Sequence, residues 1–276
     1  MPSRSGLRRT SSALGLLLPL LAGAQLQRPL PTNSPQTLTV TPRVHVRASE
    51  TVDVDLLGAL ARPGVILWLR TSGNTLKASL VERLARFDTV WVQVHAPLKP
   101  VDARVWAAVP RAGAWVDVSS LAELKKLPGA RRVAVELSGA LTDATLEQLR
   151  SARVDEVRWA PQGEVDLLRW SQFSQLQGRR VLVAPVGETW PVTCGQRAGP
   201  SVEVHLSSLL AASSEVFPCG AGARVVVPMD TDDWLLRSLV LRDPTVELVV
   251  DAPDDEHARG ARALVERLQL SPDKKR

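Results

Sequence analysis

The sequence lacks the short motifs that mark the common catalytic classes. It contains no GxSxG nucleophile elbow, no HExxH zinc motif, no GxGxxG after a predicted strand and no Walker loop. These absences argue against an α/β-hydrolase, a zincin-type metalloprotease, a Rossmann dinucleotide enzyme and a P-loop nucleotide hydrolase. The sequence therefore predicts no cofactor, and it predicts no metal site.

Cysteine is scarce, since Cys194 and Cys219 are the only two in the 276 residues. No CxxC pair and no nearby His-x-His accompanies them, which disfavours a metal site. An even number of cysteines in an exported chain predicts a disulfide between them. Two free buried thiols are the alternative.

The apolar run at residues 12–21 is too short to span a bilayer. A basic segment with three arginines precedes it, and the small residues Ala-Gly-Ala follow it at residues 22–24. This order is typical of a signal peptide over residues 1–24 that is cleaved after Ala24, and an uncleaved anchor is the alternative. We therefore expect a periplasmic or secreted protein that has no membrane span after cleavage.

The excess of positive over negative charge lies at the two ends of the chain. The formal net charge is +5, of which the predicted signal peptide carries three charges and no acid. Residues 271–276 form a basic tail, and residues 25–42 are rich in Pro and Thr, as in a linker or an N-terminal arm. The remaining body is close to neutral, so we expect no nucleic-acid partner, which would need a clustered basic face.

From residue 65 onward, short alternating strands recur with helical patterns between most of them. This order predicts parallel strands joined by right-handed crossovers, and eight such units predict a closed (β/α)8 barrel of the TIM type. We expect a single α/β barrel domain over residues 43–270. The strands are predicted at residues 65–70, 89–95, 114–119, 132–138, 155–160, 180–185, 202–207, 224–230 and 246–251, with a short one at 43–48.

With the strand at residues 202–207, the series from residue 65 has nine strands, one more than a (β/α)8 barrel. The Gly- and Pro-rich segment before that strand does not read as a helix. We therefore expect residues 186–222 to form an insert that leaves eight barrel strands. A leucine-rich-repeat-like horseshoe and an open parallel α/β sheet are the alternative folds. The horseshoe is disfavoured because the only asparagines are Asn33 and Asn74, too few for an asparagine ladder.

One strand, TVWVQVH at residues 89–95, shows which face we expect to point inward. Its valines share one face, whereas Trp91, Gln93 and His95 share the other. In a barrel the valines would meet the helices and the other face would line the lumen. In the first three strands Trp comes early and a polar residue late. Because the C-terminal ends of strands form the mouth, the sequence predicts a polar ligand-binding ring there. Its expected members are Arg70, Gln93, His95, Asp117 and Asp251, with Trp159 as a sugar-stacking surface near the rim.

Two further acids at strand ends could form a catalytic carboxylate pair. Glu136 ends the fourth predicted strand, and Asp230 ends the seventh if residues 202–207 lie in an insert. This placement is similar to that of the large clan of barrel glycosidases, whose acid and nucleophile lie on strands four and seven. The resemblance is positional: Val135 stands where the clan has Asn, and Asp230 where it usually has Glu. It implies glycoside hydrolysis with Glu136 and Asp230 as the catalytic pair.

The sequence thus predicts an exported barrel that binds a glycan or a similar polar small molecule, with or without hydrolysis. A non-catalytic binding or structural module of the cell envelope is the alternative. Under either function the tryptophans are expected to fill the core, with ligand stacking as their alternative role. A satisfied hydrogen-bond and ion-pair network is the alternative role of the polar ring. The oligomeric state is left open.

Overall fold

The structure, a computed structural model, describes most of the chain after residue 40. The described ranges are residues 41–73, 76–95, 103–109, 111–126, 132–163, 165–187, 199–211 and 222–269. The predicted signal peptide, most of the N-terminal arm, the basic tail and both cysteines lie outside them. Among the described residues, no helix is long and apolar enough to cross a membrane.

The described residues contain ten short strands, which form the frame of the fold. Most of them combine β-branched residues with the predicted alternation of faces. They are β1 (Arg43–Ser49), β2 (Val65–Arg70), β3 (Thr89–Gln93), β4 (Arg111–Asp117), β5 (Val133–Ser138), β6 (Glu156–Ala160), β7 (Arg179–Val183), β8 (Ser201–His205), β9 (Arg224–Val226) and β10 (Glu247–Ala252).

Helices follow most of the strands, and side chains cap several of them. Thr142 accepts a hydrogen bond from the backbone N–H of Thr145, and Asp166 accepts one from that of Arg169. A 3-10 helix covers Val118–Lys126. The α-helices are α1 (Val54–Ala59), α2 (Ala78–Leu84), α3 (Ala103–Ala108), α4 (Asp143–Ser151), α5 (Leu167–Ser174), α6 (Leu206–Ala211), α7 (Asp233–Arg242) and α8 (Asp255–Gln269).

All ten strands are parallel and close into one barrel. Each strand pairs with its neighbours in chain order, and β1 also pairs with β10, with Val46 opposite Val250. This closure confirms the predicted α/β barrel and excludes both the horseshoe and the open sheet, which would leave two free edges.

The strand number differs from the prediction. Residues 43–49 and 201–205 are both barrel strands, so the barrel has ten strands where eight were expected. The predicted insert over residues 186–222 is therefore wrong in that region, because β8 pairs with β7 on one side and β9 on the other. Val202 and Val204 of β8 are buried, and Glu203 lies in the lumen, which is the pattern of a barrel strand.

Apolar side chains pack on both faces of the barrel sheet: on the outer face against the helices, and on the inner face within the lumen. The outward valines pack against the helices, as Val90 and Val92 do in the layer that contains Leu80 and Leu84 of α2. The inward tryptophans form a separate cluster of Trp68, Trp91 and Trp115 with Ala134. The predicted division between outward valines and inward indoles is thus confirmed for β2, β3 and β4.

The tryptophan cluster depends on a glycine in β4. Trp91 and Trp68 stack with ring centroids 5.3 Å apart, and Trp115 meets Trp68 edge-on at 5.4 Å. Gly113 lies opposite Trp91 in the neighbouring strand, and a Cβ there would come within 2.3 Å of the indole ring. The missing side chain therefore makes room for the Trp91 ring.

Replacing Gly113 by alanine should destabilise the barrel. The added methyl group forces the Trp91 ring out of its stack, and overpacking of this kind costs about 1–3 kcal/mol. Chemical denaturation followed by tryptophan fluorescence measures the loss. Gly73→Ala is the matched control, because a Cβ at Gly73 meets no atom within 4 Å. Equal stability of the two variants would contradict this account of the lumen.

Candidate functional site

The lumen next to the tryptophans holds charged side chains that are almost fully buried. Arg224 is 1% exposed and binds Glu156 through two hydrogen bonds of 2.5 and 2.8 Å. Its Nε also donates to Glu247 at 3.1 Å, and Arg179 donates to the same Glu247 carboxylate at 2.7 Å. Because Arg224 and Glu156 lie on β9 and β6, this bidentate pair crosses the lumen between strands that are not neighbours.

A second charged group lies nearer the C-terminal ends of the strands. Both carboxylate oxygens of Glu203 accept hydrogen bonds from Arg158, at 3.0 and 3.1 Å, and Arg47 donates to the same group. Arg158 also reaches Glu136 at 3.3 Å. Acids and arginines alternate through the lumen, so each buried charge there has an opposite partner, as burial requires.

His45 connects this network to the tryptophans. The Trp68 indole N–H donates to His45 Nδ1 at 3.0 Å, and His45 Nε2 lies 2.7 Å from Glu247. An indole N–H can only donate, so Nδ1 must be unprotonated and Nε2 carries the hydrogen. Burial, aided by the nearby Arg224, lowers the pKa of His45 to about 4. His45 is therefore neutral at physiological pH.

The acids of the lumen are ionised. Burial alone would raise the pKa of Glu203, but the charges of Arg158 and Arg47 outweigh it and hold the pKa well below its usual range. Burial is likewise outweighed at Glu156 by Arg224, which lowers the pKa of that carboxyl. At Glu247 the hydrogen bond from His45 and the contact with Arg179 lower the pKa in the same way.

Six of these lumen residues were missed by the sequence reasoning. The signal was present, because the rule that assigned Trp91 and Gln93 to the lumen applies equally to β1, β6, β8 and β9. In each of those strands, at least one residue on the face that this rule turns inward is charged or histidine. The missed residues are His45, Arg47, Glu156, Arg158, Glu203 and Arg224.

Three residues of the predicted ring, Arg70, Gln93 and Asp117, are the last residues of β2, β3 and β4, and their role in ligand binding stays a prediction. Arg70 and Asp117 are exposed at the ends of their strands, and the Arg70 guanidinium lies 6.0 Å from the Trp115 ring. Gln93 is half-buried at the end of β3. His95 is also half-buried, and its Nε2 donates to the Thr71 carbonyl at 2.5 Å. The mouth is therefore polar, and arginine covers the outer side of the tryptophan cluster.

The two predicted catalytic acids lie in different surroundings. The Glu136 side chain is 32% exposed and pairs with Arg158. Asp230 is exposed in a turn after β9, four strands away from β5 around the barrel. Glu136 does not line the pocket that Asp230 lines. The hydrolytic pair therefore stays a prediction.

Trp159 is placed in the outer apolar layer. Its ring packs edge-on against Phe173 of α5 with centroids 5.2 Å apart, and its indole N–H donates to the Gly139 carbonyl at 2.8 Å. It borders a shallow pocket beside the ends of β5 and β6, but only 3% of the residue is exposed. Successive side chains of a strand point to opposite faces. Because Glu156 and Arg158 point into the lumen, Trp159 points outward, toward the helices.

A pocket of about 400 Å³ lies at the C-terminal ends of β8, β9 and β10, and we call it the C-terminal pocket. Its polar lining includes two of the predicted acids and two histidines: Asp230, Asp251, His205 and His257. Its apolar lining includes Val226, Pro228 and Met229. Arg47 lies 3.9 Å from Asp251, so the pocket adjoins the buried network.

The described residues contain no group of three or more His, Cys, Asp or Glu side chains that could hold a metal ion. The C-terminal pocket offers carboxylate and imidazole groups that can form hydrogen bonds with a ligand. The predicted disulfide between Cys194 and Cys219 lies outside the described residues and stays a prediction.

His45 should make stability depend on pH. Its pKa is lower in the folded state than the ordinary 6.5, so acidification protonates the unfolded chain first. The contribution is complete above pH 6.5 and is lost as the pH falls toward 4, by about 2 kcal/mol between pH 7.5 and 5. Urea denaturation at both pH values measures it. His45→Gln should lose this pH dependence, whereas His257→Gln, on the surface of α8, should retain it. Equal pH dependence in both variants would contradict the assignment.

The chain was compared with protein-family models and with curated protein sequences. No protein-family model matches the chain, and no curated protein sequence is significantly similar to it.

Proposed function

We propose that this chain is an exported parallel barrel that binds a saccharide or a similar polar ligand at the C-terminal ends of its strands. The observation that carries the proposal is the C-terminal pocket, in which Asp230 and Asp251, predicted separately from sequence, share one cavity. Its volume of about 400 Å³ is within the range of small-ligand sites.

The lining of the C-terminal pocket suits a saccharide. Carboxylates accept hydrogen bonds from hydroxyl groups, and imidazoles can donate or accept them. The apolar side chains of Val226, Pro228 and Met229 offer contact to the C–H face of a sugar ring. Sites of this kind combine an apolar wall with a few polar groups that fix the orientation of the ligand.

The buried network supports binding because it holds the lining in place. Asp251 is 3.9 Å from Arg47, which is itself held by the buried Glu203. A polar side chain whose partner is already fixed loses less conformational entropy when a ligand arrives. Hydrolysis through Glu136 and Asp230 is the catalytic form of the proposal. Binding has the stronger support, because these acids lie four strands apart.

Binding is tested on an array of defined oligosaccharides, followed by calorimetry with any oligosaccharide that is retained. Asp230→Asn and Asp251→Asn should each weaken its affinity by about tenfold, because hydrogen bonds to a charged group contribute roughly 1.5–3 kcal/mol. Glu147→Gln, which removes an exposed carboxylate on α4, is the matched control. Absence of binding across the array, or equal losses in all three variants, would overturn the proposal.

The same oligosaccharide separates binding from catalysis. Mass spectrometry of the mixture after incubation detects any shortened product. Product that is lost in Glu136→Gln, with folding and binding intact, would support the hydrolytic pair. Binding without product would favour the alternative, a binding module that does not hydrolyse this oligosaccharide.

Export predicts that the mature chain begins at Gln25. Intact-mass analysis of the protein recovered from the periplasm or medium of an expressing bacterium measures the cleavage site. A chain that keeps residues 1–24 and stays in the cytoplasm would contradict export. A thiol-specific label on the same sample reports whether Cys194 and Cys219 are joined.

A further inference from the structure

The N-terminal end of the barrel carries a second and different pocket. It has a volume of about 380 Å³ and is lined by five arginines, which we call the N-terminal arginine pocket: Arg43, Arg111, Arg132, Arg179 and Arg224. Four of them are the first residues of β1, β4, β7 and β9, and Arg132 directly precedes β5. Because parallel strands all begin at the same end of a barrel, these positions bring the guanidinium groups around one opening.

Three acids also line this pocket, but two of them have partners within the protein. Glu156 is held by Arg224 in the bidentate pair of the lumen. Asp155 accepts a hydrogen bond from the backbone N–H of Val133 at 2.8 Å, and its nearest Arg132 nitrogen is 3.9 Å away. Asp88 is exposed at the rim. Arg179 and Arg224 also bind Glu247, which is not part of the pocket lining, so the five arginines outnumber the four acids around them by one. His45, which also lines the pocket, is neutral.

Two of the arginines are available for a ligand. The Arg111 side chain is exposed and makes no ion pair or hydrogen bond within the described part of the chain. The Arg132 guanidinium lies 4.6 Å from the Trp91 ring centroid, a cation–π contact that positions it on the aromatic wall of the pocket, and its ion pair with Asp155 is a long one of 3.9 Å. A guanidinium that is already oriented loses little freedom when it binds an anion.

We propose that the N-terminal arginine pocket binds the phosphate group of a small phosphorylated molecule. A planar guanidinium matches two oxygens of a phosphate, and a tetrahedral dianion offers enough oxygens for more than one arginine. A carboxylate has only two oxygens and one charge, so it satisfies fewer of these groups. The apolar residues Val65 and Ile66, which also line the pocket, give the organic part of the ligand a surface to contact.

The site is independent of the proposed saccharide site, because the two pockets lie at opposite ends of the strands. Calorimetry on the full chain tests it with inorganic phosphate and with glycerol 3-phosphate. Sodium chloride of equal ionic strength and glycerol serve as controls. Tighter binding of glycerol 3-phosphate identifies a phosphate monoester as the ligand, and equal binding identifies free phosphate. No binding of either at millimolar concentrations would overturn the proposal.

Charge variants locate the binding. Arg111→Ala should weaken phosphate binding by about tenfold, because it removes one charged donor, and Asp88→Asn should strengthen it by removing a like charge at the rim. Arg259→Ala is the matched control, since it removes an exposed arginine from the first turns of α8, outside the pocket. Thermal unfolding verifies that each variant is folded. Equal affinity in Arg111→Ala and Arg259→Ala would place any bound phosphate elsewhere and overturn the proposal.

Discussion

The structure depends on how a wide barrel is filled without leaving an unpaired charge inside. Barrel diameter grows with strand number, and eight strands already enclose a lumen that side chains just fill. With ten strands, short aliphatic residues would leave voids. This chain fills one side of the lumen with Trp68, Trp91 and Trp115 and the other side with long arginine and glutamate side chains. The two sides meet at Trp68, which donates to His45 and lies within 6 Å of Arg158 and Arg224.

The filled lumen separates the two ends of the barrel. Arg224, Glu203 and Trp68 are each at most 2% exposed, so the middle of the lumen is almost closed to solvent at these side chains. Each end can therefore carry its own site, and the buried ion pairs of the lumen support both of them. The C-terminal end presents the acids and histidines of the C-terminal pocket, and the N-terminal end presents arginines. Their opposite charge character predicts ligands of different chemistry.

The alternation of side chains along the strands was the strongest predictor in the sequence. It assigned Trp91 and Gln93 inward and the valines of the same strand outward, which follows from the period of two in any strand. It also located β8, but that strand was assigned to an insert because no helix could be read from the Gly- and Pro-rich segment before it. Trp159 was assigned to the rim by residue type, although the parity of its strand points it toward α5. The pairing of Glu136 with Asp230 rested on eight strands, and two extra strands change their positions around the barrel.

The sequence by itself determined the parallel α/β architecture and the inward face of each strand, because both depend on local periodicity. Only the tertiary structure decided that ten strands close the barrel, that Arg224 meets Glu156 across the lumen, and that Asp230 and Asp251 share a pocket. Barrel closure joins Val46 to Val250, which are 204 positions apart, and the other two contacts join residues 68 and 21 positions apart. Periodicity shows which way a side chain points, whereas strand number and register decide which residue it meets.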